Sequence, residues 1–558
     1  MNIKNIIKND IFNVLNDYIE IDNVIIEQPK IKSMGDFSIP CFGYSKIMHK
    51  SPIEIANFIK ENINSINYKK IEVLNGYLNL TISDELLNSK LREMFNNEKF
   101  GIELPSKKEL YFLDYGGPNV AKPLHVGHMR TAIVGESIKR IIKYMGHNVI
   151  SDVHLGDYGL QIGEVIYGMI RDNISIDSLD IHYLDKIYPE MNKLCREDEN
   201  LKAECAEITK KLQDNDPIYQ KYFEKIKEVS VEDIKKNYAY LSVSFDLWQG
   251  ESDAYNYIND VENILVSKNL IQNSEGALIV DVLEENDKKP IPPLLFKKSN
   301  GAYLYASTDL ATIYERVTKY NPNHILYVVD NRQELHFEQV FRTCEKAGIC
   351  NRDSLEFLGY GTVNGTDNKP YKTRSGDTPK LENLFESAKE IFISKKESNK
   401  DMSTQDIDKI VNAILKFADL ENSRERDYIF DLSKFSDVVG KTGPYILYTY
   451  LRINKMIKNS NIKELSDIIY NDVDRDLRFK IINLSNALNN AFRERKPNYI
   501  ADYLYDLCVL TNVFYQNNHL SNLEDEKKKN DWIYVLKLTN MIIEQLLNLL
   551  VIDIPSIM

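Results

Sequence analysis

At 558 residues and 64.8 kDa the chain is too long for a single hydrophobic core, and at about 150 residues per domain three or four domains are expected. Hydrophobic residues at 43% and charged residues at 27% describe an ordinary globular chain, with no apolar run of ~18 residues to span a bilayer and no small-residue cleavage site after the opening MNIKNIIKNDIFNVLNDY; both argue against a membrane or secreted protein and for the cytoplasm. The 70 Lys and Arg against 83 Asp and Glu leave a net charge of −13, which argues against bulk electrostatic capture of nucleic acid while leaving room for a local basic track.

In chain order, residues 1–95 read as a small α+β unit: an amphipathic opening helix, turn signals within IKSMGDFSIPCFGYSKIM, and alternation in IEVLNGYLNLTIS. NNEKFGIELPSKKE reads as a linker. ELYFLDY is then a strand run, GGPNVAKPLHVGH a broken loop, and MRTAIVGESIKRIIKYMG a helix. Its apolar positions Ile133, Val134, Ile138, Ile141, Ile142 and Met145 have helical spacing, and Gly146 closes it. NVISDVH is the next strand, which completes a βαβ unit of a parallel sheet.

Residues of about 172–250 are charged and helix-prone, a helical insertion. Strand-like runs resume at GALIVDVL, PPLLFKK, GAYLYAS, HILYVV and LEFLGYGTV, alternating with helical DLATIYERVTKY and ELHFEQVFRTCEKAG, and are expected to complete the open sheet of a domain spanning 109–380. From 381 to 558 helical periodicity dominates, in VNAILKFADLE, GPYILYTYLRINKMI, RFKIINLSNALNNAF and VLKLTNMIIEQLLNLLVI. The expected fold class is α/β: a Rossmann-like parallel sheet with a helical insertion, a small α+β domain before it and an all-helical domain after it. Six cysteines (Cys41, Cys195, Cys205, Cys344, Cys350, Cys508) include no Cys-x-x-Cys pair, so neither a disulfide scaffold nor a Cys-rich metal site is expected.

The chemistry concentrates in Asp114 to Arg130, DYGGPNVAKPLHVGHMR, where a strand hands over to a helix. Ligands of open α/β sheets bind beyond the carboxyl ends of strands, and a helix N-terminus offers free N–H donors to anions. His125 and His128, spaced i, i+3 around Gly127, place two imidazoles on one side of the first turn, and Lys122 adds a mobile positive charge. That set suits a polyphosphate better than a metal, which wants a third nearby ligand. Two histidines in a turn also serve as capping or packing groups, and both readings stand on the residues alone. GYGTVNG, at Gly359 to Gly365, fails the G-x-G-x-x-G spacing of a dinucleotide loop.

GGPNVAKPLHVGHMRTAIVGESIKR resembles the His-Ile-Gly-His signature of class I aminoacyl-tRNA synthetases, and in its Pro-Asn-x-Ala-Lys-x-x-His-x-Gly-His form that of the arginyl-tRNA synthetase family. The resemblance continues through HLGDYGLQIG, GAYLYASTDLATIYER, ILYVVDNRQELHFEQVF, GYGTVNGTDNKPYKTRSG, RDYIFDL and TGPYILYTYLRI, nearly the whole chain. It implies ATP-dependent activation of L-arginine to arginyl-adenylate and transfer to the 2′-hydroxyl of the terminal adenosine of tRNA(Arg). Catalytic roles fall on Lys122, His125 and His128, and ATP contacts on these with Gly127, His336, Lys372 and Arg374. Asp114, Asn119, His125, Tyr305, Asp309 and Gln333 are implied to hold arginine; many relatives carry Glu where Asp114 stands. Asp309 has the alternative of compensating a helix dipole, and His336 that of a helix-start histidine.

The second class I signature, Lys-Met-Ser-Lys-Ser, is replaced by Lys369-Pro-Tyr-Lys-Thr-Arg-Ser-Gly-Asp, a degenerate form for which Lys122 is implied to compensate. Mg²⁺ is expected to arrive with ATP, with no dedicated protein metal site. Tyr445, Tyr448, Arg452 and Lys455 are implied to meet the anticodon, aromatics and cations suiting a splayed single strand. The N-terminal unit resembles the family's domain for the tRNA elbow, and a monomer is the family expectation. Two rival readings are another His-x-Gly-His nucleotidyltransferase and a non-catalytic tRNA-binding paralogue.

Overall fold

The computed structural model describes residues 3–369, 380–395, 402–458, 460–462, 464–520 and 523–558. Lys372 and Arg374 lie outside the described residues.

The first unit opens with helix Ile3–Leu15, whose Ile3, Ile7, Ile11 and Leu15 recur every four residues and are buried together. It packs beside an antiparallel sheet of β1 (Phe37–Pro40), β2 (Tyr68–Leu74) and β3 (Tyr77–Ile82), ordered β1-β3-β2. The β2–β3 turn is Asn75-Gly76, with φ of 51° and 81°, the doubly left-handed geometry that matches strand twist and that Asn-Gly supplies.

The central sheet is parallel. Its strands are β4 (Leu110–Tyr115), β5 (Asn148–Asp152), β9 (His324–Val328) and β10 (Leu355–Phe357), ordered β10-β9-β4-β5. Both faces are covered, so alternate residues enter different cores: Leu113, Tyr115, Leu326 and Val328 pack towards helix Val126–Tyr144, whereas Phe112, Ile325 and Tyr327 pack towards helices Tyr305–Tyr320 and Glu334–Lys346. The chain leaves β4 for β5 on one side and later returns to β9 on the other. That reversal opens a crevice at the carboxyl ends of β4 and β9.

Two expectations are corrected. GALIVDVL and PPLLFKK do not join the parallel sheet: β6 (Ile271–Ser274), β7 (Ala277–Val280) and β8 (Leu294–Lys297) form their own antiparallel sheet. The turn Glu275-Gly276, with φ of 51° and 84°, makes the local hairpin the shortest route to pairing. GAYLYAS is not a strand either. Ser307 takes the Leu304 N–H and donates its hydroxyl to Phe296 O, and the helix begins at Tyr305.

The insertion folds as helices Ile181–Glu197, Glu199–Gln213 and Pro217–Tyr240. The C-terminal region is helical apart from β12 (Tyr428–Ile429), which pairs with β11 (Val363–Asn364). RFKIINLSNALNNAF splits at Asn483 into Asp472–Ile482 and Leu484–Glu494, and Asn498–Asn517 and Glu526–Leu549 complete the bundle around Gly443–Ile457. The N-terminal unit docks on this bundle through a bidentate Arg475–Asp36 pair at 2.9 and 2.6 Å. Among the described residues no helix is long and apolar enough to cross a membrane.

Candidate active site

Beyond β4 the chain turns at Gly116, where φ is +85° and an added Cβ would lie 2.9 Å from the Phe245 ring. The loop that follows is tied down by backbone: Val120 donates to Gly156 O and Gly156 to Pro118 O, both at 3.0 Å, while Ala121 N–H donates to Ser230 Oγ of the insertion. It delivers His125 to the N-cap of helix Val126–Tyr144.

The two signature histidines cap that helix and each other. Gly127 N–H donates to His125 Nδ1 and His125 N–H to His128 Nδ1, both at 3.1 Å, and the rings lie 3.8 Å apart. An Nδ1 that accepts carries no proton, so each neutral ring holds its hydrogen on Nε2, the nitrogen left for a ligand. Capping and ligand binding therefore use opposite edges of the same ring. Burial, reinforced by Lys122, pushes His125 down to about 4 and His128 well below the ordinary histidine range, so both are neutral at pH 7. Lys122 is half-buried beside them. Two neutral N–H donors, one lysine and the positive end of a helix converge at one place.

A second, acid-rich group lies at the ends of β4 and β5. Arg316, wholly buried on helix Tyr305–Tyr320, donates to Asp114 at 2.7 Å and Asp152 at 3.0 Å. His154 stands with Nδ1 3.7 Å from Asp152, and although burial favours the neutral ring, the Asp152 and Asp114 carboxylates hold it protonated, raised to about 9. Asp114 is thus anchored by the protein's own guanidinium.

Nearer solvent, Asp309 accepts from His336 Nε2 at 2.6 Å, which joins the residue expected at arginine to the one expected at ATP. Glu251 opens a short helix close by; burial pushes its carboxyl up to about 7, with His154 opposing and the Asp309 and Asp157 charges adding. Asn119, Gln333 and Tyr305 are exposed, Tyr305 by 63%. Residue-by-residue reading missed Asp152, His154, Glu251 and Arg316. The first two were findable, since they close a strand whose carboxyl end faces the crevice.

On helix Gly443–Ile457, Tyr445 is half-buried and accepts from Asn512, Arg452 lies 3.8 Å over the Tyr515 ring, and Tyr448 and Lys455 are exposed. Arg495, after helix Leu484–Glu494 of the same bundle, turns inward: it pairs with Glu356 at 3.0 Å and stacks on Tyr111.

The chain matches three family models in order: the arginyl-tRNA synthetase N-terminal domain over residues 1–82, the catalytic domain of class I tRNA synthetases (R) over 90–432, and the DALR anticodon-binding domain over 446–558. It is 40% identical over 538 residues to an arginine–tRNA ligase of Alkaliphilus oremlandii, 92% of each chain, and 38% identical over 515 residues to one of Agathobacter rectalis, 86% of each. The chain belongs to the arginyl-tRNA synthetase family. Its fold agrees, superposing on the arginyl-tRNA synthetase of Plasmodium falciparum with a TM-score of 0.83 at 26% identity, over 100% of this chain and 98% of that one. The histidine-capped helix follows β4, and the acid group lies at the carboxyl ends of β4 and β5.

Proposed function

We propose that this member of the arginyl-tRNA synthetases is an arginine–tRNA ligase that uses ATP, L-arginine and tRNA(Arg). The supporting observation is the signature turn, where two neutral histidines keep their Nε2–H free beside Lys122 at a helix N-terminus.

In the first step a carboxylate oxygen of arginine attacks the α-phosphorus of ATP, the bond to the β-phosphate oxygen breaks, and pyrophosphate leaves. Charge builds on phosphoryl oxygens, so the protein's task is positioning and electrostatic stabilisation. Lys122, His125, Gly127 and His128 are assigned to the phosphates, the glycine leaving the backbone open to a close approach. In the second step the tRNA 2′-hydroxyl attacks the arginyl carbonyl carbon and AMP departs with the electron pair of the mixed-anhydride bond.

Asp309 and Glu251 are assigned to the substrate guanidinium, with Tyr305 and Gln333 at its exposed flank and Asn119 and Asp114 toward the amino-acid head. A guanidinium would add a counter-charge to the one His154 gives Glu251, and His336 would orient Asp309. Mg²⁺ would enter with the nucleotide; among the described residues no group of three or more His, Cys, Asp or Glu side chains could hold a metal.

The test is aminoacylation with labelled arginine, ATP and Mg²⁺, with lysine and glutamine as competitors and a control lacking tRNA. Arginine alone is expected to be attached. A folded preparation that leaves its own tRNA uncharged refutes the assignment.

A further inference from the structure

Beside the Ala121–Ser230 hydrogen bond, the helical insertion reaches the back of the signature turn through an ion pair. Asp185, on helix Ile181–Glu197, holds the Lys380 ammonium. The Lys380 backbone pairs antiparallel with His125, and the next residue, Leu381, donates its N–H to Leu124 O at 2.9 Å. The main chain around His125 is therefore extended by Lys380 and Leu381, and the side chain of Lys380 fastens that extension to the insertion.

The ion pair stands where side-chain packing between the loop and the insertion is interrupted. A cavity of about 360 Å³, lined by Leu124, Asp185, Asp233, Lys236, Lys380 and Glu382, lies between the signature loop and the insertion in place of packed side chains. The lining includes three carboxylates against two lysines, and Asp233 is already pushed up by burial and by its acidic neighbours Glu382 and Asp185. Asp185 also has a buried Oδ1 with no hydrogen-bond partner, so Lys380 holds this carboxylate through Oδ2 alone. Losing the lysine would leave like charges to repel across the cavity. Losing the aspartate would free the Lys380 side chain that steadies the bridge to the His125 main chain.

We propose that Asp185 and Lys380 are positioning residues for adenylate formation, an ion pair by which the insertion fixes the His125 turn against the nucleotide. The proposal rests on the reading of the signature turn as the phosphate site. Neither residue need touch substrate. The expected consequence is a loss in the chemical step, because a displacement of about 1 Å at a catalytic group costs up to ~100-fold in rate.

The test is arginine-dependent ATP–pyrophosphate exchange with tRNA present, measured on Asp185→Asn, Lys380→Met, Asp185→Glu and the swap D185K/K380D beside wild type. Each of the first two is expected to lower kcat about tenfold, with KM for arginine within about twofold and the melting temperature little moved. Asp185→Glu should retain most activity, and the swap, which restores an ion pair of opposite polarity, should recover kcat to within about threefold. Near-normal kcat in both single variants overturns the proposal, as does a loss that follows the melting temperature, or a folded swap no better than its parents. Should Asp185→Asn fail to fold, Lys380→Met, altered at a side chain 43% exposed, decides alone. Wild-type protein with no exchange activity would instead overturn the parent reading, a distinguishable result.

Discussion

His125 caps its helix through Nδ1, and the proposed function gives Nε2 a second task that a substitution can separate from the first. Asn is among the best N-cap residues, and its side-chain oxygen can accept the Gly127 N–H as Nδ1 does, but it presents no N–H where Nε2 stands. His125→Asn is therefore expected to stay within about 0.5 kcal/mol of wild type at pH 7 by urea denaturation, while adenylate formation falls by about 10²-fold, the usual loss of one transition-state donor. A large drop in stability with catalysis merely reduced in proportion would return the histidine to a capping role. The same substitution has a pH signature. Burial and Lys122 hold folded His125 at about 4, below its unfolded value near 6.5, so between those limits the unfolded chain binds a proton that the folded chain refuses. Stability should consequently fall as pH drops from about 6.5 to 4 and be unaffected by this group above that window. Thermal melts from pH 4.5 to 7.5 should show a gap between His125→Asn and wild type that shifts in favour of the variant as pH falls.

Helix Val126–Tyr144 lies unusually close to β4, and Gly135 permits it. A Cβ built there would fall 2.2 Å from Tyr115 Cγ, and Tyr115 cannot swing aside: it is wholly buried, with its hydroxyl bonded to Glu136 at 2.8 Å and to Ser244 O at 3.0 Å. Alanine improves helix propensity by about 1 kcal/mol, whereas overpacking costs about 1–3 kcal/mol or more, so Gly135→Ala should lower the urea midpoint and reduce kcat as the helix is lifted off the sheet. A raised midpoint would show that propensity outweighs the steric term. This element was legible in the sequence because its signals are local: a strand run, a loop broken by Gly and Pro, then apolar residues at helical spacing. Asn75-Gly76 was legible for the same reason. GAYLYAS misled because its alternating Tyr, Leu and Tyr imitate a strand, and the decisive contact, Ser307 to Phe296 O, comes from another element. The site divides likewise. His125 and His128 are neighbours in the chain, whereas Arg316 meets Asp114 and Asp152 across separations of 202 and 164 residues that no local pattern records.

The whole molecule carries −13, yet its proposed partner is a polyanion. Association must then depend on a few cations that the protein does not itself neutralise. Most candidates in the C-terminal bundle are already committed: Arg495 to Glu356, Lys496 to Glu425, Lys480 to Asp506 and Lys441 to Asp502. Arg452 is held over Tyr515, which leaves its guanidinium face stacked and its edge available. Lys455, one turn further along helix Gly443–Ile457, is exposed near the exposed Tyr448. If Lys455 meets a phosphate of the anticodon strand, binding releases one condensed counterion there, and the slope of log K against log salt changes by about 0.7 per single-strand phosphate neutralised. Lys455→Gln is accordingly expected to weaken tRNA binding several-fold at low salt and to make that slope shallower by about 0.7, with ATP and arginine kinetics unchanged. Filter binding from 50 to 300 mM KCl measures both quantities. An unchanged slope would place Lys455 off the tRNA path. The acidic remainder of the surface should keep the slope small overall, so that tRNA is held by a few contacts and unrelated polyanions are repelled.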